Sequence, residues 1–534
     1  MLALDRLSPS AMASSWTLYA GCIVSVVALS AVWSFVAGRS ASHADKATSS
    51  VLAGPLASVW LYSDREDFLL RLFGPPHRLL SRAADRLNTT FGVNRYRVTI
   101  TANASDAATF ANDRRLHLTE AYLVLFTAVP DLPEWISGVL PDALFQRRGR
   151  RAVAAIKDST SSERIAGKIP HMIDDVVTQL CMLPKAGAGV HTHDVIYPIM
   201  FRMVIRMFGL SEHTKDFATM DRINDWTMQV AETSNSFLTT QFPFIPTPWS
   251  VKRLLAGLRL SVEVSRLLKA RERTGVEHDD YIQDMMRRGV PRNEVRDFVL
   301  GSLVGGVANP GALSSYTLIF LGSSPELLAQ VKAEVVSALD LDVAEVVANE
   351  GSEGLRRALK SIPLSTWDDK LPLLDDCVKE TSRLLISDLL VRRFRPDPEL
   401  DAKEPELRLS GRRLEDKDFA AFWLSSLHYN PTIYSDPTRY DPSRWARGEG
   451  SGKDEFGAFG VGRHPCPGIR FARVGVKVAV ALWLLSMEGH EAVDASGTRY
   501  TLDTAPKPRH NDEHRRLPAK PVTLQYAENL LHGA

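Results

Sequence analysis

The sequence predicts a mostly α-helical protein with a little sheet, preceded by one membrane anchor. Segments with apolar residues at helical spacing dominate the chain, whereas strand-like segments are few and short. A stretch rich in Pro, Asp, Gly and aromatic residues, 428–468, precedes the carboxyl end and predicts a long coil. One uncharged apolar segment near the amino terminus is long enough to cross a bilayer.

The predicted anchor is residues 16–37, because no charged residue lies between Arg6 and Arg39. Its 22 residues exceed the roughly 20 that a membrane-spanning helix needs. A cleaved signal peptide is the alternative, but its apolar region would be only about 7–15 residues behind a basic start. Residues 1–15 are then a short lumenal terminus and 38–59 a linker. Three basic residues follow the anchor and favour a cytoplasmic carboxyl side: Arg39, His43 and Lys46.

The remaining residues, 60–534, are interpreted as one domain, because no Pro/Gly/Ser-rich joint divides them. Six segments have apolar residues at i, i+3 and i+4 and predict helices: Asp174–Leu183, Ile196–Leu210, Val251–Lys269, Val295–Leu321, Ser324–Leu339 and Leu371–Leu385. Three short segments predict strands: Arg97–Ile100, Leu389–Phe394 and Pro521–Tyr526.

Composition excludes several classes of protein. The net charge is +1, from 64 Lys+Arg and 63 Asp+Glu, which argues against a nucleic-acid partner because such domains carry a basic excess. Four cysteines in 534 residues exclude a disulfide scaffold. Each cysteine is therefore a candidate for ligation, catalysis or plain burial.

Cys466 lies in the most informative segment, Phe-Gly-Val-Gly-Arg-His-Pro-Cys-Pro-Gly at 459–468. Glycines allow close approach of the backbone to a flat ligand, and the two flanking prolines stiffen the loop. Backbone N–H groups, Arg463 and His464 are expected to favour the thiolate. A helix follows at 469–487, so its positive end faces the sulfur. A thiolate held in this way is a good axial ligand for haem iron.

The complete string resembles the haem-binding signature of cytochrome P450 enzymes, in the Gly-Arg-His-x-Cys form of sterol demethylases and many fungal microsomal members. The resemblance implies a cytochrome P450 fold: a large helical domain with a small β-rich subdomain. It implies haem b as cofactor, with Cys466 as the iron ligand. Within the loop it assigns haem contacts to Phe459, Gly462 and Gly468.

Further residues match the family outside this loop. Glu380 and Arg383 share one face of a predicted helix, and Arg444 in the coil supplies the third member of the family's structural Arg-Glu-Arg triad. The resemblance also assigns the haem propionates to His464 and to Arg393. A third propionate contact is expected from the cluster Arg147–Arg151, without a choice of residue.

The stretch Phe298–Leu321 resembles the long helix that crosses the distal haem face. Proline at 310 cannot donate a hydrogen bond to the Gly306 carbonyl, so this helix is expected to open there. A loop that splits two helices is the alternative. Ala308 and Gly306 are expected to provide space for O2 and water.

Ala308 and Asn309 stand where the family usually has an acid and a threonine that relay protons. Asn309 can donate a hydrogen bond but cannot ionise. An Ala/Gly-Asn pair here resembles the sterol 7α-hydroxylase and prostacyclin synthase branch, which contains hydroxylases and an isomerase that needs no external electrons. Catalytic roles are therefore assigned to Asn309, Gly306 and Ala308, and the type of reaction stays open.

The cations Arg470, Arg473 and Lys477 share one face of the helix after Cys466 and resemble a reductase-docking patch; a merely solvated face is the alternative. Taken together, the resemblance implies a monooxygenase in the endoplasmic reticulum membrane, single-pass, with its catalytic domain in the cytoplasm. Its partners would be NADPH-cytochrome P450 reductase and an apolar small molecule, such as a secondary metabolite, terpenoid, polyketide or sterol-like compound. The alternatives are a haem-thiolate isomerase or dehydratase, and a non-catalytic haem-binding protein.

Overall fold

A computed structural model describes residues 65–81, 87–93, 96–125, 142–186, 189–232, 247–386, 389–509 and 516–532. The predicted anchor and its flanking segments lie outside these residues. Within the described ranges, no helix has both the length and the apolar character needed to cross a membrane.

Helices make up most of the described chain, which confirms the mostly α class. In chain order the helices are α1 Arg65–Phe73, α2 Ala107–Asn112, α3 Leu118–Leu125, α4 Asp142–Ser159, α5 Ser162–Cys181, α6 Thr192–Phe208, α7 Phe217–Glu232, α8 Pro248–Thr274, α9 Tyr281–Arg287, α10 Arg292–Gly322, α11 Pro325–Leu339, α12 Val343–Lys360, α13 Leu364–Asp369, α14 Pro372–Leu385, α15 Pro398–Asp401, α16 Ser425–His428, α17 Ser443–Ala446 and α18 Ile469–Ser486. Short 3-10 turns lie at Pro76–Ser81, Ala104–Asp106 and Ser211–Lys215.

The strands are short and form small sheets. They are β1 Asn88–Val93, β2 Tyr96–Thr101, β3 Leu116–His117, β4 Leu389–Phe394, β5 Arg408–Leu409, β6 Arg412–Arg413, β7 Phe419–Trp423, β8 Met487–Glu488, β9 Glu491–Val493, β10 Thr523–Gln525 and β11 Glu528–Asn529. The largest sheet has the order β1-β2-β7-β4-β3, with β2 and β7 parallel and the other pairs antiparallel.

Two apolar clusters organise the interior. The larger joins the helices, and its members include residues of α5, α6, α10, α14 and α18. The smaller joins α1 to the face of the five-stranded sheet that carries Phe91, Val98, Val391 and Phe419. A large helical part and a small β-rich part are therefore both present.

Each of the six predicted helices and three predicted strands has a counterpart in the structure. The long helix α10 lies at the centre, packed against α4, α6, α14 and α18. It runs unbroken from Arg292 to Gly322 with Pro310 inside it, so the alternative of two helices split by a loop is wrong. The helix was expected to open at Gly306, but it continues through this residue without a break.

Candidate functional site

The loop 459–468 holds Cys466 between the central coil and α18. The Cys466 amide donates a hydrogen bond to the Phe459 carbonyl at 2.6 Å, and the Ile469 amide donates to the Cys466 carbonyl at 3.3 Å. Thr160, just after α4, donates to the Pro467 carbonyl at 3.1 Å. The backbone on both sides of the sulfur is therefore fixed by neighbouring elements.

Glycines in this loop are required by its tight geometry. Gly460 and Gly462 have φ of +85° and +56°, a region that residues with a side chain rarely adopt. A Cβ at Gly462 would clash with the Ala111 carbonyl, and a Cβ at Gly460 would clash with the His464 carbonyl. Gly468 caps α18 and would bring a Cβ to 3.9 Å from Ile156, which is ordinary contact.

Burial raises the pKa of the Cys466 thiol, while a hydrogen bond from the Gly468 amide acts in the opposite direction. The expectation that Arg463 and His464 favour the thiolate is not met. The Arg463 guanidinium donates to the Asp113 carbonyl at 3.3 Å, and the pKa of His464 is lowered to about 4 by burial and by Arg392, which keeps its imidazole neutral. A metal ion bound at the sulfur would favour its thiolate form.

Two adjacent arginines of β4 lie on opposite faces of the sheet. The guanidinium of Arg393 lies 5.2 Å from the ring centre of Phe419 and 3.8 Å from Glu120. The guanidinium of Arg392 lies 5.1 Å from the ring centre of Phe110, and its charge lowers the pKa of His464. It is therefore Arg392, and not the predicted Arg393, that lies on the same side as the loop of Cys466.

Arg392 is a buried cation without an acidic partner in the described chain. It is 2% exposed, its Nη1 donates to the Val391 carbonyl at 2.8 Å, and its Nε has no hydrogen-bond partner there. Burial lowers its pKa to about 10. Because a buried unpaired charge is costly, this position fits an anionic group supplied by a ligand.

Other cations lie near His117, whose charge in turn acts on the pKa of His464. The pKa of His117 is lowered first by burial, and Arg395, Arg463 and Arg150 act in the same direction. Arg150 is exposed and belongs to the cluster Arg147–Arg151, whose other described cation, Arg151, pairs with Glu294. Of these two, Arg150 is the one left to meet a ligand.

The structure brings Glu380, Arg383 and Arg444 together, all three fully buried. Glu380 accepts hydrogen bonds from Arg383 at 2.7 and 2.9 Å and from Arg444 at 3.0 Å. The two arginines also donate to backbone carbonyls of the coil, including Ser435, Pro437 and Arg439. This triad fixes the path of the coil that leads to Cys466.

The central helix α10 has an exposed strip in its first half. Gly301, Gly305 and Asn309 are exposed and, being spaced by four residues, share one face. A Cβ added at Gly301 or Gly305 would meet no atom within 4 Å. An exposed strip along the middle of a helix whose opposite face is buried indicates open space, or a chamber, beside it.

Gly306 lies on a different face from this chamber. A Cβ there would lie 3.3 Å from Val204 of α6, so Gly306 serves helix packing. Ala308 is half-buried beside Asn309, and its carbonyl accepts a hydrogen bond from the Tyr197 hydroxyl at 3.2 Å. The space expected from Gly306 is instead supplied by Gly305 and Gly301.

The cations of α18 do not form a free patch. Arg470 donates to Asp368 and Arg473 donates to Asp375, at 3.1 and 3.0 Å through their Nε atoms. Lys477 is 1% exposed, and its ammonium donates to the Asp368 carbonyl at 3.1 Å. Neighbouring acids therefore neutralise the surface that was expected to attract an acidic reductase.

Comparison with known proteins agrees with this site. The sequence profile of the family described as Cytochrome P450 matches residues 155–492, well over half of the chain. The chain therefore belongs to the cytochrome P450 family of haem-thiolate oxidoreductases. The match includes the triad, α10 and the loop of Cys466.

Three of the similar proteins are named as monooxygenases. Cytochrome P450 monooxygenase AacuE of Aspergillus aculeatus is 27% identical over 66% of this chain and 68% of its own length. Cytochrome P450 monooxygenase dmxR5 of a Cryptosporiopsis species is 24% identical over 61% of both chains. Cyclooctat-9-en-7-ol 5-monooxygenase of Streptomyces melanosporofaciens is 27% identical over 56% of this chain and 61% of its own.

The residues of the site fit a haem. Cys466 offers a sulfur in a loop kept free of side chains by glycines, and the strip at Gly301, Gly305 and Asn309 leaves open space beside α10. Arg392 is a buried cation that lacks an anion among the described residues. A flat ligand with a metal centre and carboxylate groups meets all three of these requirements.

Arg392, Gly301 and Gly305 were not predicted from the sequence. Strand alternation could have found Arg392, because Val391 lies in the smaller apolar cluster and Leu390 packs against the larger one, so residue 392 faces the helices. Helical spacing back from Asn309 could have found the two glycines.

Proposed function

We propose that this protein is a membrane-anchored cytochrome P450 monooxygenase that hydroxylates or otherwise oxidises an apolar small molecule. O2 is the oxidant, and electrons come from NADPH through a cytochrome P450 reductase. The proposed cofactor is haem b. The observation that carries the proposal is the combination of a rigid cysteine loop with the buried Arg392 beside it, which has no acidic partner among the described residues.

When bound, the haem supplies the activation of O2. In this chain, Cys466 would hold the iron, and Arg392 and His464 would hold the propionates, with Arg150 at the outer edge. The triad of Glu380, Arg383 and Arg444 keeps the cysteine loop in place. These contacts would orient the cofactor.

On the α10 side, Gly301 and Gly305 leave room for substrate and O2. Asn309 is exposed to this chamber and can donate or accept hydrogen bonds through its amide. We assign to Asn309 the orientation of water and dioxygen. Ala308 bears no acid, so protons would have to arrive through water held by Asn309.

The substrate is proposed to be a secondary metabolite of terpenoid, polyketide or sterol-like character. Two relatives are named for their reactions, cyclooctat-9-en-7-ol 5-monooxygenase and ent-kaurenoic acid oxidase 1 of Arabidopsis thaliana, the latter 23% identical over 67% of this chain. Both names describe oxidation of a particular small organic molecule. The chamber beside α10, lined by glycines, supports a bulky apolar substrate.

The proposed location is the endoplasmic reticulum membrane, with residues 16–37 as a single span and the catalytic domain in the cytoplasm. The 22 uncharged residues of this segment support the proposal. Anchoring would keep the enzyme beside its membrane-bound reductase and beside apolar substrates dissolved in lipid.

One set of contacts favours a second function, an isomerase or dehydratase that needs no external electrons. Asp368 and Asp375 neutralise Arg470 and Arg473 on the face where a reductase was expected to dock. The pair Ala308-Asn309 also lacks the usual proton-relay groups. These features leave the second function as a defined rival.

Electron dependence separates the two functions. The full-length chain, loaded with haem, is incubated in membranes with extracts of apolar metabolites, with and without reductase and NADPH. A product that forms only with both supports the monooxygenase. A product that forms equally without them, yet is lost in Cys466→Ser, supports the isomerase.

A further inference from the structure

The central helix α10 contains a turn that a helix on its own would not keep closed. Pro310 has no N–H to donate to the Gly306 carbonyl, and its ring crowds that carbonyl, which ordinarily kinks or breaks a helix. In this structure α10 nevertheless continues from Arg292 to Gly322. Contacts from outside α10 must therefore compensate for the hydrogen bond that Pro310 cannot make.

One compensating contact is a hydrogen bond from α6. The Tyr197 hydroxyl donates to the Ala308 carbonyl at 3.2 Å, within the turn that contains Pro310. A carbonyl oxygen has two lone pairs, so it can accept this bond and still serve the helix. Tyr197 is 7% exposed, so little water competes for the bond. The added donor offsets part of what the turn loses at the proline.

The ring of Tyr197 is held in place against α10. A Cβ at Gly311 would lie 3.1 Å from this ring, closer than ordinary contact, so the glycine allows the ring to approach the helix. His193 stacks with the same ring, with 4.9 Å between the ring centres and 23° between the planes. The His193 Nδ1 atom lies 3.1 Å from the Thr192 hydroxyl. A fixed ring therefore directs the tyrosine hydroxyl at one carbonyl.

Two further residues of α6 contact α10 before and after the proline. A Cβ at Gly306 would lie 3.3 Å from Val204. The Ser314 hydroxyl lies 3.7 Å from the Met200 sulfur. Tyr197, Met200 and Val204 are spaced by three and four residues, so they share one face of α6. This face therefore covers α10 on both sides of the proline.

We infer that Tyr197 is a positioning residue for Asn309. Its hydroxyl holds the Ala308 carbonyl, and the peptide group of this carbonyl includes the Asn309 amide, so the bond fixes where the Asn309 side chain leaves the helix. Without the hydroxyl, the turn opens at Pro310 and Asn309 moves relative to the chamber beside α10. The closed turn follows from the contacts of α6, whereas its consequence for dioxygen rests on the function proposed above.

Hydrogen exchange of the full-length haem-loaded chain, followed by mass spectrometry, tests the closed turn. Tyr197→Phe keeps the ring and loses the hydroxyl, so the amides of 309–314 should exchange roughly fivefold faster, the effect of one neutral hydrogen bond. The control is Tyr500→Phe, at an equally buried tyrosine whose hydroxyl donates to the Pro521 carbonyl at 3.1 Å. In the control these amides should exchange as in the parent protein.

Restoring the missing N–H separates this role from a general loss of packing. Pro310→Ala can donate to the Gly306 carbonyl, so the turn should stay closed without the tyrosine hydroxyl. In the Pro310→Ala background, Tyr197→Phe should therefore change the exchange rate by less than about twofold. An undiminished change in that background would overturn the inference, as would equal exchange in Tyr197→Phe and the parent protein.

The position of Asn309 is measured from the infrared C–O band of carbon monoxide bound to the reduced haem. Tyr197→Phe should move this band in the same direction as Asn309→Ala, because both take the amide away from the ligand, and Tyr500→Phe should leave the band in place. A band that stays in place in Tyr197→Phe would overturn the role toward Asn309. Neither measurement involves turnover, so a missing monooxygenase activity leaves both results unaffected.

Discussion

Arg392 and Arg393 are consecutive in β4, and their guanidinium groups lie on opposite faces of the sheet. Arg393 packs on the rings of Tyr96 and Phe419, near Glu120. Arg392 packs on the ring of Phe110, and its charge lowers the pKa of His464. The pairing of β4 with β7 fixes this register, with Arg392 opposite Ala420. One step along the strand thus decides which cation lies on the side of the Cys466 loop.

Replacement of this cation should loosen the cofactor. We expect Arg392→Gln to release haem on the order of tenfold faster, because hydrogen bonds to charged groups are worth about 1.5–3 kcal/mol. Haem transfer to apomyoglobin, followed by absorbance, measures the rate. The control is Arg463→Gln, an exposed cation of the cysteine loop, with a small effect expected. Equal rates of haem release in the two variants would contradict the assignment of a propionate contact to Arg392 and favour Arg393.

The open strip on α10 should be sensitive to added bulk. We expect Gly305→Leu to fold but to bind haem roughly tenfold or more weakly, since overpacking costs about 1–3 kcal/mol. Gly257→Leu, at a glycine of α8 with no atom within 4 Å of an added Cβ, is the matched control. The ratio of bound haem to protein is measured for both variants, and thermal unfolding verifies that each variant is folded. Normal haem content in Gly305→Leu would show that the chamber lies elsewhere.

The buried triad should be costly to break. Glu380→Gln leaves Arg383 buried without its carboxylate, and removal of one partner of a buried ion pair typically costs about 3–5 kcal/mol. Arg444 still donates a hydrogen bond to Glu449 at 2.6 Å, so Arg383 is the arginine that is left without an acidic partner. Urea unfolding followed by tryptophan fluorescence measures it.

The control for the triad is Glu272→Gln, which removes the exposed ion pair between Glu272 and Arg292. An exposed pair is worth about 0–1 kcal/mol, so little change in the unfolding midpoint is expected. If both variants unfold at the same urea concentration as the parent protein, the triad does not hold the coil as described.

Acid should destabilise the fold through two buried neutral histidines. Burial, which is the largest cause, lowers the pKa of His428 to about 3 and that of His490 to about 4. Below about pH 6.5 these two histidines bind protons in the unfolded chain but stay neutral in the folded chain. Their contribution to the free energy of unfolding therefore falls as the pH drops toward 4, and it does not change with pH above about 6.5.

For His490 alone, the loss between pH 7 and pH 5 should be roughly 2 kcal/mol in the free energy of unfolding. His490→Gln can keep the hydrogen bonds with Leu318 and Trp483, at 2.9 and 3.3 Å, but cannot titrate. Its urea midpoint should therefore depend less on pH than that of the parent protein, while His191→Gln at an exposed position should not differ. Identical pH profiles for His490→Gln and parent would contradict this assignment.

Helical spacing predicts the fold of this protein well because its long helices bury one apolar face. The predicted Val295–Leu321 lies inside α10, and the predicted Leu389–Phe394 coincides with β4. The pattern wrongly predicts an opening near Pro310, because packing against α6 and α18 keeps the helix in one piece.

Site residues are predictable where a motif specifies the residue type. They are less predictable where the role depends on which face of a helix or strand the side chain lies on. Cys466 and the triad follow from their motifs, and the triad forms as expected. Arg393 was assigned by resemblance to the family and Gly306 by its spacing from Pro310, and each lies one position from the residue that faces the site. Acids on separate helices, such as Asp368 and Asp375, neutralise Arg470 and Arg473 through contacts that a helical pattern does not contain.

The origin of the oxygen in the product tests the central claim most directly. The full-length chain is expressed with a P450 reductase in cells that make candidate substrates, against a Cys466→Ser control, under isotopically labelled O2, and new metabolites are weighed by mass spectrometry. The account predicts a product that carries one labelled oxygen atom and disappears in the control. A product that depends on Cys466 but is isomeric with its precursor and unlabelled would contradict it.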